Sequence, residues 1–129
     1  MLFNLISNAA KFTDEGSITV KIASVAHCSA SHAGSEEGLL FEVKDTGLGM
    51  SKEIQDKLFK KFSTFDQKGH NSGGVGLGLF ISQNIVQQIG MAGNDQINVF
   101  SAIGVGSTFR FEVKKHLYER RRKINNMLF

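Results

Sequence analysis

Residues 39–50 have the sequence Leu-Leu-Phe-Glu-Val-Lys-Asp-Thr-Gly-Leu-Gly-Met, an apolar run that ends on a carboxylate followed by two glycines. The apolar run predicts a β-strand that delivers Asp45 at its carboxyl end. Gly47 and Gly49 let the backbone approach a flat ligand closely. A carboxylate accepts hydrogen bonds, so Asp45 would favour adenine, whose amino group donates, over guanine, which presents an oxygen there. An isolated Asp-Thr-Gly is usually a simple turn, so the stretch needs support from elsewhere.

The segment before this strand predicts a helix with one polar face. Apolar residues recur at helical spacing between residues 2 and 12. Asn4, Asn8 and Lys11 are separated by four and three positions, so they share a face of that helix. The amide oxygen of Asn8 suits Mg²⁺, which takes few protein ligands, and Lys11 can neutralise phosphate charge. A polar helix face is usually only solvated, so this pattern is also weak alone.

A second glycine-rich segment, Gly73-Gly74-Val75-Gly76-Leu77-Gly78-Leu79, opens a predicted helix over residues 76–89. Its glycines let successive backbone N–H groups and the positive helix end face an anion. The segment follows a polar stretch and not a buried strand, so it differs from the dinucleotide-binding fingerprint. No Gly-Lys-Ser/Thr closes it, so it also differs from the Walker loop.

The remaining segments predict one domain that mixes helices and hairpin-connected strands. We expect a strand over 18–22, a loop over 27–38, a helix over 52–62 with Ser51 as its N-cap, and a β-hairpin of strands 97–100 and 107–113. These elements favour an α+β fold in which one sheet lies under one layer of helices. The domain is expected to cover residues 1–113, followed by a basic tail over 114–129.

Composition excludes several classes of protein. The chain has 129 residues, 41% of them hydrophobic, which is enough for one domain with a core. A net charge of +3 without a nucleic-acid motif gives no reason to expect a nucleic-acid partner. The single cysteine, Cys28, favours a cytoplasmic location, and no apolar run approaches the roughly 18 residues of a membrane span. Membrane attachment is expected only through other parts of a parent protein. The basic tail is interpreted as solvated, with a contact to an acidic protein or membrane surface as the alternative.

Five motifs in this order resemble those of the GHKL superfamily of ATPases and kinases, and within it the ATP-binding catalytic domain of sensor histidine kinases. They are similar to the N box, the first glycine box, the phenylalanine box, the second glycine box and the closing Gly-x-Gly-Ser-Thr-Phe segment, and they lie at residues 4–13, 45–50, 58–65, 74–79 and 104–109. Together they are specific where each motif alone is weak. The resemblance implies the Bergerat two-layer α/β sandwich, with a mostly antiparallel mixed sheet and Mg²⁺-ATP bound between the N-box helix and a lid.

The resemblance also implies roles for individual residues. Asn8 would bind Mg²⁺, Asn4 and Lys11 would meet phosphate, and Asn8 and Lys11 would be the catalytic residues. Asp45 would accept the adenine amino group, and Thr108 would shape the adenine pocket. The full set implied to contact the nucleotide is Asn4, Asn8, Lys11, Asp45, Gly47, Gly49, Gly74, Gly76, Leu77, Gly78 and Thr108. Aromatic residues of the phenylalanine box, Phe59 and Phe62, are expected to pack and not to bind.

Asn4 separates the kinase branch from the hydrolytic branch. Hydrolytic members carry a water-activating glutamate one turn before the Mg²⁺ asparagine, and Asn4 occupies that position. A site without that base suits a kinase, where the nucleophile comes from elsewhere. The resemblance implies a phosphoacceptor histidine that is followed closely by an acidic residue and a proline. The chain has four histidines and no proline, so none of them has this acceptor motif. A phosphoacceptor histidine domain and a downstream response-regulator receiver are therefore expected as partners, and the chain is not expected to be a self-sufficient enzyme.

The family domain has a strand before its N-box helix, whereas this sequence starts almost at the N box. That first strand is expected to be missing, which would expose an edge of the sheet. Two other functions remain open. One is a degenerate GHKL-fold docking or regulatory module without kinase activity, and the other is a GHKL-type ATPase, which Asn4 disfavours.

Overall fold

A computed structural model describes residues 1–28, 35–60, 77–91 and 93–115. Within them, the elements in chain order are α1 (Leu2–Lys11), β1 (Ile18–Cys28), β2 (Ser35–Asp45), α2 (Lys52–Gln55), α3 (Gly78–Ile89), β3 (Asn98–Ala102) and β4 (Gly106–Lys114). The strands form one sheet in the order β1-β2-β4-β3. Helices α1 and α3 pack on one face of this sheet and against each other. The α+β fold predicted from the sequence is confirmed.

The core lies between the sheet and the two long helices. Leu5 and Ala9, one turn apart on α1, are buried against it, and Val86 is the corresponding buried residue of α3. From the sheet side, the rings of Phe41 and Phe111 stack with centroids 5.0 Å apart. The buried apolar cluster comprises Leu5, Ala9, Val43, Leu58, Val86, Ile97, Phe109 and Phe111. Phe59 packs on this cluster as predicted, whereas Phe62 lies outside the described residues.

The pairing register decides which side chains face the helices. Val43 pairs with Phe109, both buried on the helix side. Successive side chains of a strand alternate between faces, so the next pair, Lys44 and Thr108, lies on the opposite face. One position further, Asp45 returns to the helix side. The register therefore places the carboxylate under the helical layer at the end of β2.

Several predicted boundaries were wrong. The expected loop over 27–38 was wrong at both ends, because β1 extends to Cys28, β2 begins at Ser35, and these two residues pair. The expected helix over 52–62 is a four-residue helix, α2, after which the amides of Lys57 and Leu58 bond three residues back in tighter turns. The third helix begins at Gly78 instead of residue 76. All strand pairings in the described sheet are antiparallel, in agreement with the mostly antiparallel mixed sheet that the resemblance implied. The N-cap prediction is confirmed, since the Ser51 hydroxyl accepts the Ile54 amide at 3.4 Å.

β1 is an edge strand with an uncovered apolar face. Ile18, Val20 and Ile22 pair with the helix-side residues of β2, yet they are 38%, 42% and 56% exposed. Across the described ranges, no helix is long and apolar enough to cross a membrane.

Candidate functional site

The Asp45 carboxylate is buried and only half satisfied by the protein. Its Oδ1 accepts the backbone amides of Gly47, at 2.9 Å, and of Ser107, at 3.2 Å. The residue is 5% exposed. Its Oδ2 has no hydrogen-bond partner among the described residues. Oδ2 is not among the buried side-chain atoms without a partner, so this oxygen is open to solvent although the residue is buried. An acceptor that is fixed in position and left open in this way is suited to a donor group on a ligand.

The loop after Asp45 is fixed by its neighbours through backbone hydrogen bonds. The Leu48 amide donates to the Phe12 carbonyl at 3.0 Å, and the Leu48 carbonyl accepts from the Gly104 amide at 2.8 Å. At the start of the loop, the Thr46 amide donates to the Ser17 carbonyl at 3.1 Å. The loop is therefore held between the end of α1 and the β3–β4 turn, which keeps the Asp45 carboxylate in one orientation.

The two glycines of this loop are needed by the fold itself. A Cβ on Gly47 would lie 2.0 Å from the Phe12 carbonyl oxygen, and one on Gly49 would lie 1.8 Å from the Ala102 carbonyl oxygen. Gly49 also has a φ of 67°, a conformation that other residues rarely adopt. The sequence indicated that these glycines leave space for a ligand. In the structure the space is taken by neighbouring backbone.

The Asn4 side chain joins the first and third helices. Its Nδ2 donates to the Gly78 carbonyl oxygen and to the Ser82 hydroxyl, both at 3.3 Å. A carbonyl oxygen can only accept, so the atom facing Gly78 must be the amide nitrogen. Both hydrogens of that nitrogen are therefore engaged within the protein. The group that Asn4 has left for a ligand is its Oδ1, an acceptor.

Asn8 and Lys11 continue the same face of α1 towards the Asp45 loop. The Asn8 side chain is half-buried and makes no hydrogen bond within the part of the chain that the structure describes. The Lys11 ammonium lies 5.4 Å from the centroid of the Phe12 ring. Helix α1 thus carries an amide and a cation without a carboxylate partner among the described residues, and the amide of Asn8 borders the buried stripe of Leu5 and Ala9.

Ser107, and not Thr108, is the hydroxyl residue beside Asp45. Thr108 pairs with Lys44 and Phe100, whose side chains are exposed on the sheet face away from the helices. Ser107 is 7% exposed, and its amide bonds the Asp45 carboxylate. The structure therefore brings Asp45, Gly47 and Gly49 together with Ser107 and separates them from the Thr108 side chain.

The second glycine segment is described from Leu77 onward. Gly78 is the first residue of α3 and Leu77 its N-cap, whereas Gly74 and Gly76 lie outside the described residues. On the other side of the loop, a cleft of about 580 Å³ is lined by Phe12, Asp14, Glu15, Thr46, Gly47, Leu48, Gly49, Ile103 and Gly104. Of the predicted nucleotide residues, this cleft includes only the two glycines.

Four polar residues of the site were missed by the sequence reasoning. Ser107 lies two residues before the buried Phe109, and Ser101 lies two residues after the half-buried Val99, a parity that could have placed both serines on the helix side. Ser82 is fully buried and lies one turn before the buried Val86, so helical spacing carried the same signal. Gln55 donates to the Met50 and Ser101 carbonyls, and no sequence pattern indicates this.

Comparison with known proteins gives consistent matches. The model of a family described as histidine kinase-, DNA gyrase B- and HSP90-like ATPases matches residues 1–117. The sensor histidine kinase AruS of Pseudomonas aeruginosa is 38% identical over 115 residues, covering 88% of this chain and 11% of that protein. The sensor protein GacS of Pseudomonas syringae is 39% identical, covering 88% and 12%. The aerobic respiration control sensor protein ArcB of Escherichia coli is 34% identical, covering 88% and 13%.

The family match extends over the N-box helix, the Asp45 loop and the β3–β4 hairpin. The chain spans 11% to 13% of the length of these three relatives. It belongs to the family of histidine kinase-, DNA gyrase B- and HSP90-like ATPases, and its relatives within that family are sensor histidine kinases.

Proposed function

We propose that this chain binds Mg²⁺-ATP and positions it for phosphoryl transfer to a histidine on another domain of a two-component signalling system. The observation that carries the proposal is the Asp45 carboxylate. Two backbone amides satisfy its Oδ1, and its Oδ2 has no partner among the described residues. The exocyclic amino group of adenine is a donor that fits this acceptor, whereas guanine presents an oxygen at the same place. The base specificity is therefore for ATP over GTP.

The triphosphate is assigned to the face of α1 that carries Asn8 and Lys11. Asn8 is the proposed Mg²⁺ ligand, because an amide oxygen is a hard ligand and this side chain has no internal partner in the described ranges. When bound, Mg²⁺ would neutralise charge on the phosphates. Lys11 supplies a second positive charge on the same helix face, and catalysis by such a site is mainly positioning and electrostatic stabilisation.

Asn4 receives a different role from the phosphate contact that the resemblance implied. Both of its amide hydrogens bond to α3, so it has no donor left for a phosphate oxygen. We assign it to holding the start of α3 against α1. An amide is also no base, so Asn4 cannot activate water, and this argues against the ATPase alternative.

The remaining partners are proposed from the relatives. They are named sensor histidine kinases and sensor proteins, and the chain spans about a tenth of their length. We propose that the phosphoacceptor histidine and the response-regulator receiver lie elsewhere in a parent chain or on a partner, in the cytoplasm. A docking module without kinase activity would keep the fold but would not need the free acceptor on Asp45.

Titration with a fluorescent ATP analogue in the presence of Mg²⁺ tests the proposal. Asp45→Asn is the informative variant, because the Asn Oδ1 can still accept both backbone amides while the donor Nδ2 replaces the acceptor Oδ2. Asp56→Asn, which changes an exposed aspartate of the same charge, is the matched control. We expect saturable binding that Asp45→Asn weakens at least roughly tenfold and Asp56→Asn leaves unchanged. An absence of saturable binding, or equal binding by Asp45→Asn, would overturn the proposal.

A further inference from the structure

We infer that Ser101 is a positioning residue that sets the base specificity of the site, an inference that rests on the proposed function. Ser101 lies on β3, and its side chain faces the helix side of the sheet, next to the first residues of β4. It does not contact the Asp45 carboxylate in any described hydrogen bond. It acts through Ser107, whose amide does.

The Ser101 hydroxyl sits at the centre of three contacts. Its oxygen accepts the Met50 backbone amide at 2.8 Å. It lies 2.9 Å from the Gly106 carbonyl oxygen and 3.0 Å from the Ser107 hydroxyl oxygen. One side chain therefore joins the loop that follows Asp45 to the two residues that begin β4.

The directions of these hydrogen bonds follow from counting hydrogens. A carbonyl oxygen can only accept, so the single hydroxyl hydrogen of Ser101 goes to Gly106. The Ser107 hydroxyl must then be the donor in its contact with Ser101. Ser101 donates one hydrogen bond and accepts two, which uses its full capacity. Ser107 Oγ is left with lone pairs only.

As a result of this arrangement, the unpaired side-chain groups of Asp45 and Ser107 can only accept hydrogen bonds. The Ser107 amide donates to Asp45 Oδ1, and the Ser107 hydroxyl donates its hydrogen to the Ser101 oxygen. The free groups at this point are then both acceptors, Asp45 Oδ2 and Ser107 Oγ. Such a surface favours a base edge that donates and disfavours one that presents an oxygen. Without Ser101, the Ser107 hydroxyl is free to turn and donate, and it could then satisfy an oxygen.

Gln55 also joins the loop after Asp45 to β3, so the two stay connected by hydrogen bonds when the Ser101 side chain is changed. The Gln55 side-chain nitrogen donates to the Met50 and Ser101 carbonyl oxygens, both at 3.0 Å. These bonds involve the backbone of Ser101 and not its hydroxyl. A Ser101→Ala variant therefore removes the three hydroxyl contacts and leaves the two Gln55 hydrogen bonds in place.

The test compares ATP with inosine triphosphate, whose base carries an oxygen in place of the adenine amino group. Dissociation constants for both nucleotides, with Mg²⁺, are measured for the wild type, Ser101→Ala and Ser101→Thr. Ser24→Ala, an exposed serine on β1, is the matched control. We expect Ser101→Ala to reduce the ratio of the dissociation constant for inosine triphosphate to that for ATP by roughly tenfold. Ser101→Thr should retain the wild-type ratio, and Ser24→Ala should not change it.

Amide hydrogen exchange in the nucleotide-free protein gives a second readout. We expect faster exchange at the Met50 and Ser107 amides in Ser101→Ala than in the wild type. An unchanged nucleotide preference, or equal losses for both nucleotides, would overturn the inference and leave the proposed function standing if Asp45→Asn still weakens ATP binding. Unchanged exchange at Ser107 would also overturn it. A wild type that binds neither nucleotide would overturn both proposals.

Discussion

The side-chain nitrogen of Asn4 lies 3.3 Å from the hydroxyl oxygen of Ser82, 78 positions later in the chain. Ser82 is fully buried. The bond crosses from the helix assigned to the phosphates to the helix that follows the second glycine segment. It therefore makes the position of α3 depend on α1.

Replacing Ser82 with alanine should lower the free energy of unfolding by about 1 kcal/mol, because one buried donor hydrogen of Asn4 loses its acceptor. Urea denaturation of the wild type and the variant measures this difference. Ser24→Ala, the same change at an exposed position, should alter stability by less than about 0.5 kcal/mol. Equal effects of the two changes would show that the bond contributes nothing.

Replacing Gly49 with alanine should destabilise the protein by more than about 3 kcal/mol, because the new methyl group would meet the Ala102 carbonyl at 1.8 Å. Gly104→Ala is the control. Gly104 has a similar φ of 76°, but a Cβ there has nothing within 4 Å, so only the backbone strain of about 1 kcal/mol applies. Thermal unfolding compares the two variants. Similar melting temperatures would contradict the close approach of the Asp45 loop to β3.

Replacing Ile22 with threonine should reduce self-association of the chain and change its stability little. Ile22 is 56% exposed on the uncovered face of an edge strand, and apolar edges promote pairing with other chains. Lys21→Thr introduces the same residue on the opposite face of β1 and should not reduce association. Analytical ultracentrifugation measures the outcome. Equal association of the wild type and Ile22→Thr would show that this face does not cause self-association.

The chain alone should incorporate no label from γ-labelled ATP, since none of its four histidines has the acceptor motif. Adding a separately produced domain that carries an acceptor histidine should produce labelled acceptor. Asn8→Ala should abolish the transfer, because the variant loses the proposed Mg²⁺ ligand. Autoradiography of the separated proteins reads this directly. Transfer that persists in Asn8→Ala, or label on the chain itself, would contradict the proposed division of roles.

The sequence predicted those parts of the fold that depend on local patterns. Apolar spacing identified α1 and the β3–β4 hairpin, and the N-cap preference of serine identified Ser51; each feature is determined by residues close in the chain. The lengths of β1 and β2 were underestimated, because small polar residues near Cys28 and Ser35 have no strand signal of their own. They pair because the ladder that starts at Ile18 and Asp45 continues past them.

The candidate site was predicted to the level of its motifs but not of its hydrogen bonds. Asp45 was correctly placed at the end of a strand, because it follows an apolar run. Ser107 and Thr108 are adjacent in the sequence, and only the register with β2 decides which of them meets Asp45. The contact of Asn4 with Ser82 joins two helices, and no local pattern specifies such a pairing.

The most direct test of the account is calorimetric titration of the wild type and Asp45→Asn with Mg²⁺-ATP and with Mg²⁺-GTP. We expect the wild type to bind ATP at least roughly tenfold more tightly than GTP, and we expect Asp45→Asn to lose this preference because the donor Nδ2 replaces the acceptor Oδ2. Equal affinities of the wild type for the two nucleotides, or an unchanged preference in Asp45→Asn, would contradict it.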